Sequence, residues 1–144
     1  MDLIKIARSP AIVGTSEMTV KAAAQLMKDE GVGVLLIVDT QGKLLGVFSE
    51  RDNLIRVSAL GLDPARTVLG TVMSAPAVTA SPTTSIMDGL QMMYRDRIRY
   101  LPIVDSQRRV LGVASIRNML LRRIRDERAD LEMLAAYVGA GGPG

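Results

Sequence analysis

Sliding the chain by 66 positions, without a gap, lays residues 3–56 on residues 69–122, and 17 of those 54 pairs are identical. Among them are Leu3/Leu69, Pro10/Pro76, Leu35/Leu101, Asp39/Asp105, Gly46/Gly112, Ser49/Ser115, Arg51/Arg117 and Arg56/Arg122. An ungapped internal repeat of this length means one supersecondary unit used twice. Each half is small for a stable domain, so the two copies are expected to share a core. The identities concentrate in the stretch IVDxQ…LGVxSxR, which marks where function is to be sought.

Each copy parses alike. A short extended piece closed by proline comes first, Ser9–Val13 and Ala75–Thr79. Thr19 and Ser85 then cap helices over Val20–Glu30 and Ile86–Asp96. Val20, Ala23, Ala24 and Met27 share one helix face, as do Ile86, Leu90 and Met93. Val34–Val38 is a continuous apolar run that fits a strand covered on both faces. A turn and a returning strand follow it, Leu44–Phe48, and the second copy repeats this with Tyr100–Val104 and Val110–Ala114. A second helix opens at Ser49 and at Ser115. The first ends near Gly61; the second meets no stop before Gly139. Leu120, Ile124, Leu131, Leu134 and Val138 line one side of it, with Glu127 interrupting the stripe. So long a helix needs a surface to pack on, either a second copy or the module itself.

The fold class is therefore α+β: two pseudo-two-fold repeats, each β-α-β-β-α, with their sheets packed together and a long C-terminal helix. Repeat one is placed at 3–60, a linker at 61–72, repeat two at 73–125, a helical extension at 126–138 and a disordered tail at 139–144.

Composition excludes much. The 144 residues contain no cysteine and no histidine. That removes disulfides, thiolate chemistry, Cys/His zinc sites and any imidazole base. No paired carboxylates and no activated-serine pattern stand in, so the chain is read as non-enzymatic. The net charge is only +3, carried mostly by 14 arginines, and there is one Phe and no Trp. A basic surface attracts anions, but the aromatic platforms that stack single-stranded bases are nearly missing, which argues against nucleic acid. No run approaches the roughly 20 apolar residues of a membrane span, and the opening residues lack a signal peptide's apolar stretch. A cytoplasmic location without membrane attachment is the expectation.

The segment Gly46-Val47-Phe48-Ser49-Glu50-Arg51-Asp52 carries the most chemistry. Gly46 lets a strand approach another backbone closely. Ser49 ends the strand and caps the helix, and Asp52 lies one turn in, facing back toward the cap. In isolation Ser-x-x-Asp reads as a capping box. The same convergence of hydroxyl, carboxylate and helix N–H groups also suits a sugar diol beside an anion.

Each copy resembles a CBS domain, and the tandem resembles a CBS pair, or Bateman module. The resemblance rests on Val72-Met73-x-x-Pro76-x-Val78-Thr79, Leu101-Pro102-Ile103-Val104-Asp105 and the Gly46–Asp52 signature, and covers residues from about 3 to 125. It implies regulatory binding of an adenosine-containing ligand (AMP, ADP, ATP, S-adenosylmethionine or NAD) between the repeats, as in energy sensing, with no required cofactor. It also implies a homodimer and a separate effector protein. Carried over, one cleft combines Val47, Ser49 and Asp52 with Val78, Thr79, Ile98, Arg99 and Tyr100. Its pseudo-symmetric counterpart combines Val113, Ser115 and Asn118 with Ile12, Val13, Val32, Gly33 and Val34. Asn118 departs from the signature: it loses a charge and an acceptor, so this second cleft is expected to be weaker or empty. A ligand-free structural adaptor is the alternative reading. Removing Asp52 is expected to cost about 1 kcal/mol of capping energy.

Overall fold

The computed structural model describes residues 1–140. Its elements are a 3-10 turn (Leu3–Lys5), β1 (Val13–Gly14), α1 (Val20–Glu30), β2 (Val34–Val38), β3 (Leu44–Ser49), α2 (Glu50–Asp52), a π-helical continuation (Asn53–Ser58), α3 (Leu69–Val72), α4 (Ile86–Asp96), β4 (Tyr100–Val104), β5 (Val110–Ser115) and α5 (Ile116–Ala140). Thr19 accepts from the Ala22 N–H and Ser85 from the Asp88 N–H, so both expected caps form. Gly139 and Ala140 lie within α5, which corrects the expected tail: one glycine costs a helix only about 1 kcal/mol and does not end it. Residues 141–144 of that tail lie outside the described residues.

The first sheet runs β1-β2-β3, with β1 parallel and β3 antiparallel to β2. The second holds only β4 and β5, antiparallel. The expected extended strand of copy two shrinks to a single parallel bridge, Ala80 to Ile103. The cause is one residue. In copy one Leu36 donates its N–H to the Ile12 carbonyl. The repeat places Pro102 at the matching position, and proline has no N–H to give.

The apolar run of β2 is buried from Val34 to Ile37. Leu35 and Ile37 point toward α1, into a cluster with Val20, Ala23, Met27 and Phe48. Val34 and Leu36 point the other way, into a shared cluster with Val104 and Val113 of the second repeat. The two sheets thus pack against each other through their aliphatic inner faces.

The repeats also exchange their leading segments. Leu3 is fully buried in the core of repeat two, beside Met93, Leu101 and Met119. Its counterpart Leu69 is fully buried in the core of repeat one. The backbone follows the same symmetry. Leu3 donates to Thr84 O and Leu69 to Met18 O. Arg8 bridges to Val113 and Ser74 to Val47. Neither core is complete without a piece of the other repeat, so the two halves stand or fall together.

Candidate functional site

The exchange sets the geometry of two clefts. Where Ser74 runs along β3, the backbones come so close that a side chain at Gly46 would meet the Ser74 carbonyl at 2.7 Å. At the equivalent place, a side chain on Gly112 would meet the Arg8 carbonyl at 2.8 Å. Glycine at these two positions admits the incoming segment.

At the first cleft, Ser49 and Asp52 form a full capping box. Asp52 Oδ2 accepts from the Ser49 N–H at 2.9 Å and from the Ser49 hydroxyl at 3.1 Å. Oδ1 accepts from the Ser74 hydroxyl at 2.9 Å and faces the Arg56 guanidinium at 3.5 Å. Asp52 is only 6% exposed, and among the described residues it is the one buried charged side chain. A carboxylate has about four lone-pair sites, and here each oxygen already faces two partners. Capping and a place in the cleft wall are therefore combined in one group.

A cavity of about 400 Å3 opens at this point, lined by Val34, Val47, Ser49, Glu50, Arg51, Asp52, Ile55, Arg56, Ser74, Asp96, Arg97, Ile98, Arg99 and Tyr100. That volume lies in the ordinary range for small-molecule sites, roughly 300–1,000 Å3. Its lining combines apolar side chains with four arginines, two from each repeat, and with the acids Glu50, Asp52 and Asp96. Of the residues read from the sequence, Val47, Ser49, Asp52, Ile98, Arg99 and Tyr100 are brought together here. Val78 and Thr79 do not line the cavity; Val78 packs on the core of repeat two instead.

Ser74, Arg56 and Arg97 escaped the sequence reading. Ser74 sits just outside the signature, and its role depends on the segment exchange. Arg56 lies four residues after Asp52, the ordinary helical ion-pair spacing, so its signal was visible. Arg97 had a visible signal: it falls on Gly31 in the repeat, where a glycine ends α1 in the left-handed conformation. Arg97 ends α4 in that same conformation, with φ 55° against 66° for Gly31. An arginine there carries a backbone cost that glycine avoids.

The second cleft encloses about 230 Å3, below the usual range. Ile12, Val32, Gly33, Val34, Val113, Ser115 and Asn118 line it, joined by Arg8 and Arg117; Val13 does not. Ser115 accepts from the Asn118 N–H at 3.2 Å. Among the described residues the exposed Asn118 side chain returns no bond to the cap, so the box is half made. No carboxylate lines this cleft.

Tyr100 and Val34 occupy the same position of the repeat and together form the wall between the clefts. The Tyr100 ring reaches across so far that any side chain at residue 33 would collide with its hydroxyl. Burial raises the Tyr100 pKa above its ordinary value, helped by the charge of Glu50 and a hydrogen bond to it, while Arg99 pulls it down. A third depression, of about 450 Å3, lies beyond Tyr100 between Lys28, Glu50 and Asn53 and opens broadly to solvent.

Among the described residues there is no metal-binding cluster of acidic side chains, and no helix is long and apolar enough to cross a membrane. The family model described as CBS domain matches residues 3–52 and again 69–124. The chain belongs to the CBS domain family. It is 36% identical over 111 residues to the CBS domain-containing protein YhcV of Bacillus subtilis, covering 77% of each chain. The CBS domain pair of protein MJ0100, solved with 5′-methylthioadenosine and S-adenosyl-L-methionine, superposes with a TM-score of 0.76 at 23% identity, over 89% of this chain and 98% of that one. CBSX2, solved with AMP, gives 0.74 at 19% identity, over 88% and 98%. The chain spans between 59% and 77% of the length of the first three curated relatives it matches. The two solved pairs share the tandem α+β fold described above.

Proposed function

We propose that this CBS pair is a regulatory module, not an enzyme, which binds an adenosine-containing ligand in the Asp52 cleft. The observation that carries this is a cavity of ordinary ligand size between the repeats, lined by a buried carboxylate, apolar side chains and four arginines. Asp52 and Ser74 take the ribose hydroxyls. Val34, Val47, Ile98 and Tyr100 pack on the base, and Arg99, with Arg97, Arg51 and Arg56, faces the phosphate or other polar end. Bound AMP in CBSX2 and adenosyl compounds in the MJ0100 pair support this ligand class. The Asn118 cleft is the weaker partner or takes no such ligand.

The mechanism is differential binding. The cleft joins β3 and α2 of one repeat to α4 and β4 of the other, so a ligand that bridges them favours one relative arrangement of the repeats. It shifts that equilibrium only by its difference in affinity between states. An effector protein then reads the arrangement.

A thermal-shift panel of AMP, ADP, ATP, S-adenosylmethionine, NAD and guanine controls tests the reading. Ligand at about 100 Kd adds about 2.7 kcal/mol to a native state that alone binds it. A selective rise with an adenosyl compound is expected, at one site per chain by calorimetry. Asn118→Asp, which restores the signature carboxylate, is expected to raise the stoichiometry or the second-site affinity. A flat panel would leave the structural-adaptor reading standing.

A further inference from the structure

Tyr100 reaches from β4 of repeat two toward repeat one and lies in the wall of all three cavities: the Asp52 cleft, the second cleft and the open depression beyond them. Its hydroxyl ends over Gly33, beside the Glu50 carboxylate. A side chain at residue 33 would collide with that hydroxyl. It would also come within 3.1 Å of the ring carbon that bears it and within 3.0 Å of Glu50 Oε1. Gly33 is not among the glycines of positive φ, so no backbone strain calls for glycine there. It supplies room instead: the bare backbone at residue 33 is a seat for the ring.

The seat belongs to one cleft and its neighbour to the other. Gly33 lines the second cleft and not the Asp52 cleft; Glu50 lines the Asp52 cleft and not the second. Whatever fills the seat from the second cleft therefore meets the first cleft through this ring. The repeat builds the arrangement once. Tyr100 corresponds to Val34, Gly33 to Arg99 and Glu50 to Ile116, so the mirrored set has no ring, no vacancy and no carboxylate.

A ring turned off its seat has two places to go. The depression opens to solvent between Lys28, Glu50 and Asn53, where the ring would lose apolar contact. The Asp52 cleft offers Val47, Ile55 and Ile98, so burial of apolar surface favours it. There the ring takes the space assigned above to the base.

We infer that Tyr100 is a two-position partition that makes the two clefts mutually exclusive. Seated over Gly33, it leaves the Asp52 cleft open. An occupant of the second cleft that fills the seat drives the ring into the Asp52 cleft and shuts out the ligand there. The coupling is reciprocal: a ligand in the Asp52 cleft holds the ring on its seat and keeps the second cleft small. The ligand side of this rests on the nucleoside reading of the Asp52 cleft; the motion of the ring does not.

Gly33→Ala fills the seat with a methyl group at a position outside the Asp52 cleft. The variant is expected to fold, because the first atom in its way is the free end of a side chain. Its crystal structure is expected to show Tyr100 turned into the Asp52 cleft. AMP, or whichever compound of the adenosyl panel the parent binds, is expected to bind at least about tenfold more weakly. Gly33→Ala/Tyr100→Phe removes the colliding hydroxyl and is expected to regain most of that affinity, a rescue that a merely structural glycine would not show. A ring left seated while residues 32–34 shift, a ring turned out into the depression, a Gly33→Ala chain that does not fold, or an affinity equal to the parent's would each overturn the proposal. If no panel compound binds the parent, the nucleoside reading falls, and the place of the ring in Gly33→Ala still decides this one.

Discussion

At the first cleft the segment arriving from the other repeat brings Ser74, and at the second it brings Arg8. The signature position is Asp52 in one and Asn118 in the other, and the wall position is shared by Val34 and Tyr100. Everything that builds the clefts is alike in the two repeats: the exchanged leading turn, the bridge onto the returning strand, the glycine beneath it and the serine cap. The repeats differ in the strand that Pro102 denies to copy two and in the length of the last helix, but within the clefts the differences lie in side chains that face the cavity. The result is one cleft of about 400 Å3 with a fully partnered, buried carboxylate, and another of about 230 Å3 with an exposed amide. Duplication preserves the scaffold because both cores depend on it. The cavity-facing residues at positions such as Asp52/Asn118 and Val34/Tyr100 have diverged more than that scaffold.

The sharpest way to break this comparison is to truncate the two signature residues. Asp52→Ala strands the Ser49 N–H, the Ser74 hydroxyl and the half-exposed Arg56. It is expected to cost about 2–3 kcal/mol in urea unfolding, more than the cap alone, because a buried polar group loses its partners on both sides. Adenosyl-ligand affinity is expected to fall at least about tenfold with the loss of a charge-assisted acceptor. Asn118→Ala is expected to stay within about 0.5 kcal/mol, as for other exposed positions. Equal costs at the two sites would show that the inequality of the clefts is only apparent.

The scaffold gives the control. Gly46→Ala and Gly112→Ala each push a methyl group into an incoming backbone, so each is expected to cost about 1–3 kcal/mol, and by similar amounts. An unequal pair here would place the asymmetry in the frame instead of in the cavity. This part of the molecule was the most legible from sequence. Helix caps at Thr19 and Ser85, the apolar strands and the close approach at Gly46 all rest on local rules that a repeat prints twice. The exchange of leading turns was not legible, because Leu3 and Leu69 are interchangeable as hydrophobes and nothing local says which core receives which. Ser74 stayed hidden for that reason: its meeting with Asp52 is a consequence of chain path, whereas Arg56 lies four residues on, at local helical spacing. Pro102 was visible, but its effect on the missing strand depended on knowing that its partner needed an N–H.

A smaller effect separates Arg97 from Gly31. Arg97→Gly relieves a left-handed arginine and is expected to stabilise the fold by about 0.5–1 kcal/mol, the relief being partly offset by the freer unfolded chain. The same change removes a cation from the mouth of the Asp52 cleft, so phosphorylated ligands are expected to bind severalfold more weakly while uncharged adenosine is little affected. Stability and affinity then move in opposite directions, which a purely structural arginine would not produce. A gain in stability with phosphate-ligand affinity unchanged would take Arg97 out of the site.

The smallest effect concerns the wall between the clefts. Burial and the neighbouring Glu50 hold the Tyr100 hydroxyl in its neutral form, so its folded pKa lies above the ordinary value of 10.0. For an acid whose folded pKa is raised, the folded state keeps its proton where the unfolded state has released it. The stabilising contribution is complete below the unfolded pKa and declines as pH climbs from there through the folded pKa. Tyr100→Phe has no proton to lose, so the variant is expected to show a shallower fall in stability above about pH 10, with little change at neutral pH. Val34, the equivalent wall residue, is titration-silent, so this alkaline component belongs to one repeat alone. If the variant and the parent lose stability in parallel above pH 10, neither burial nor Glu50 holds the Tyr100 proton in the folded state.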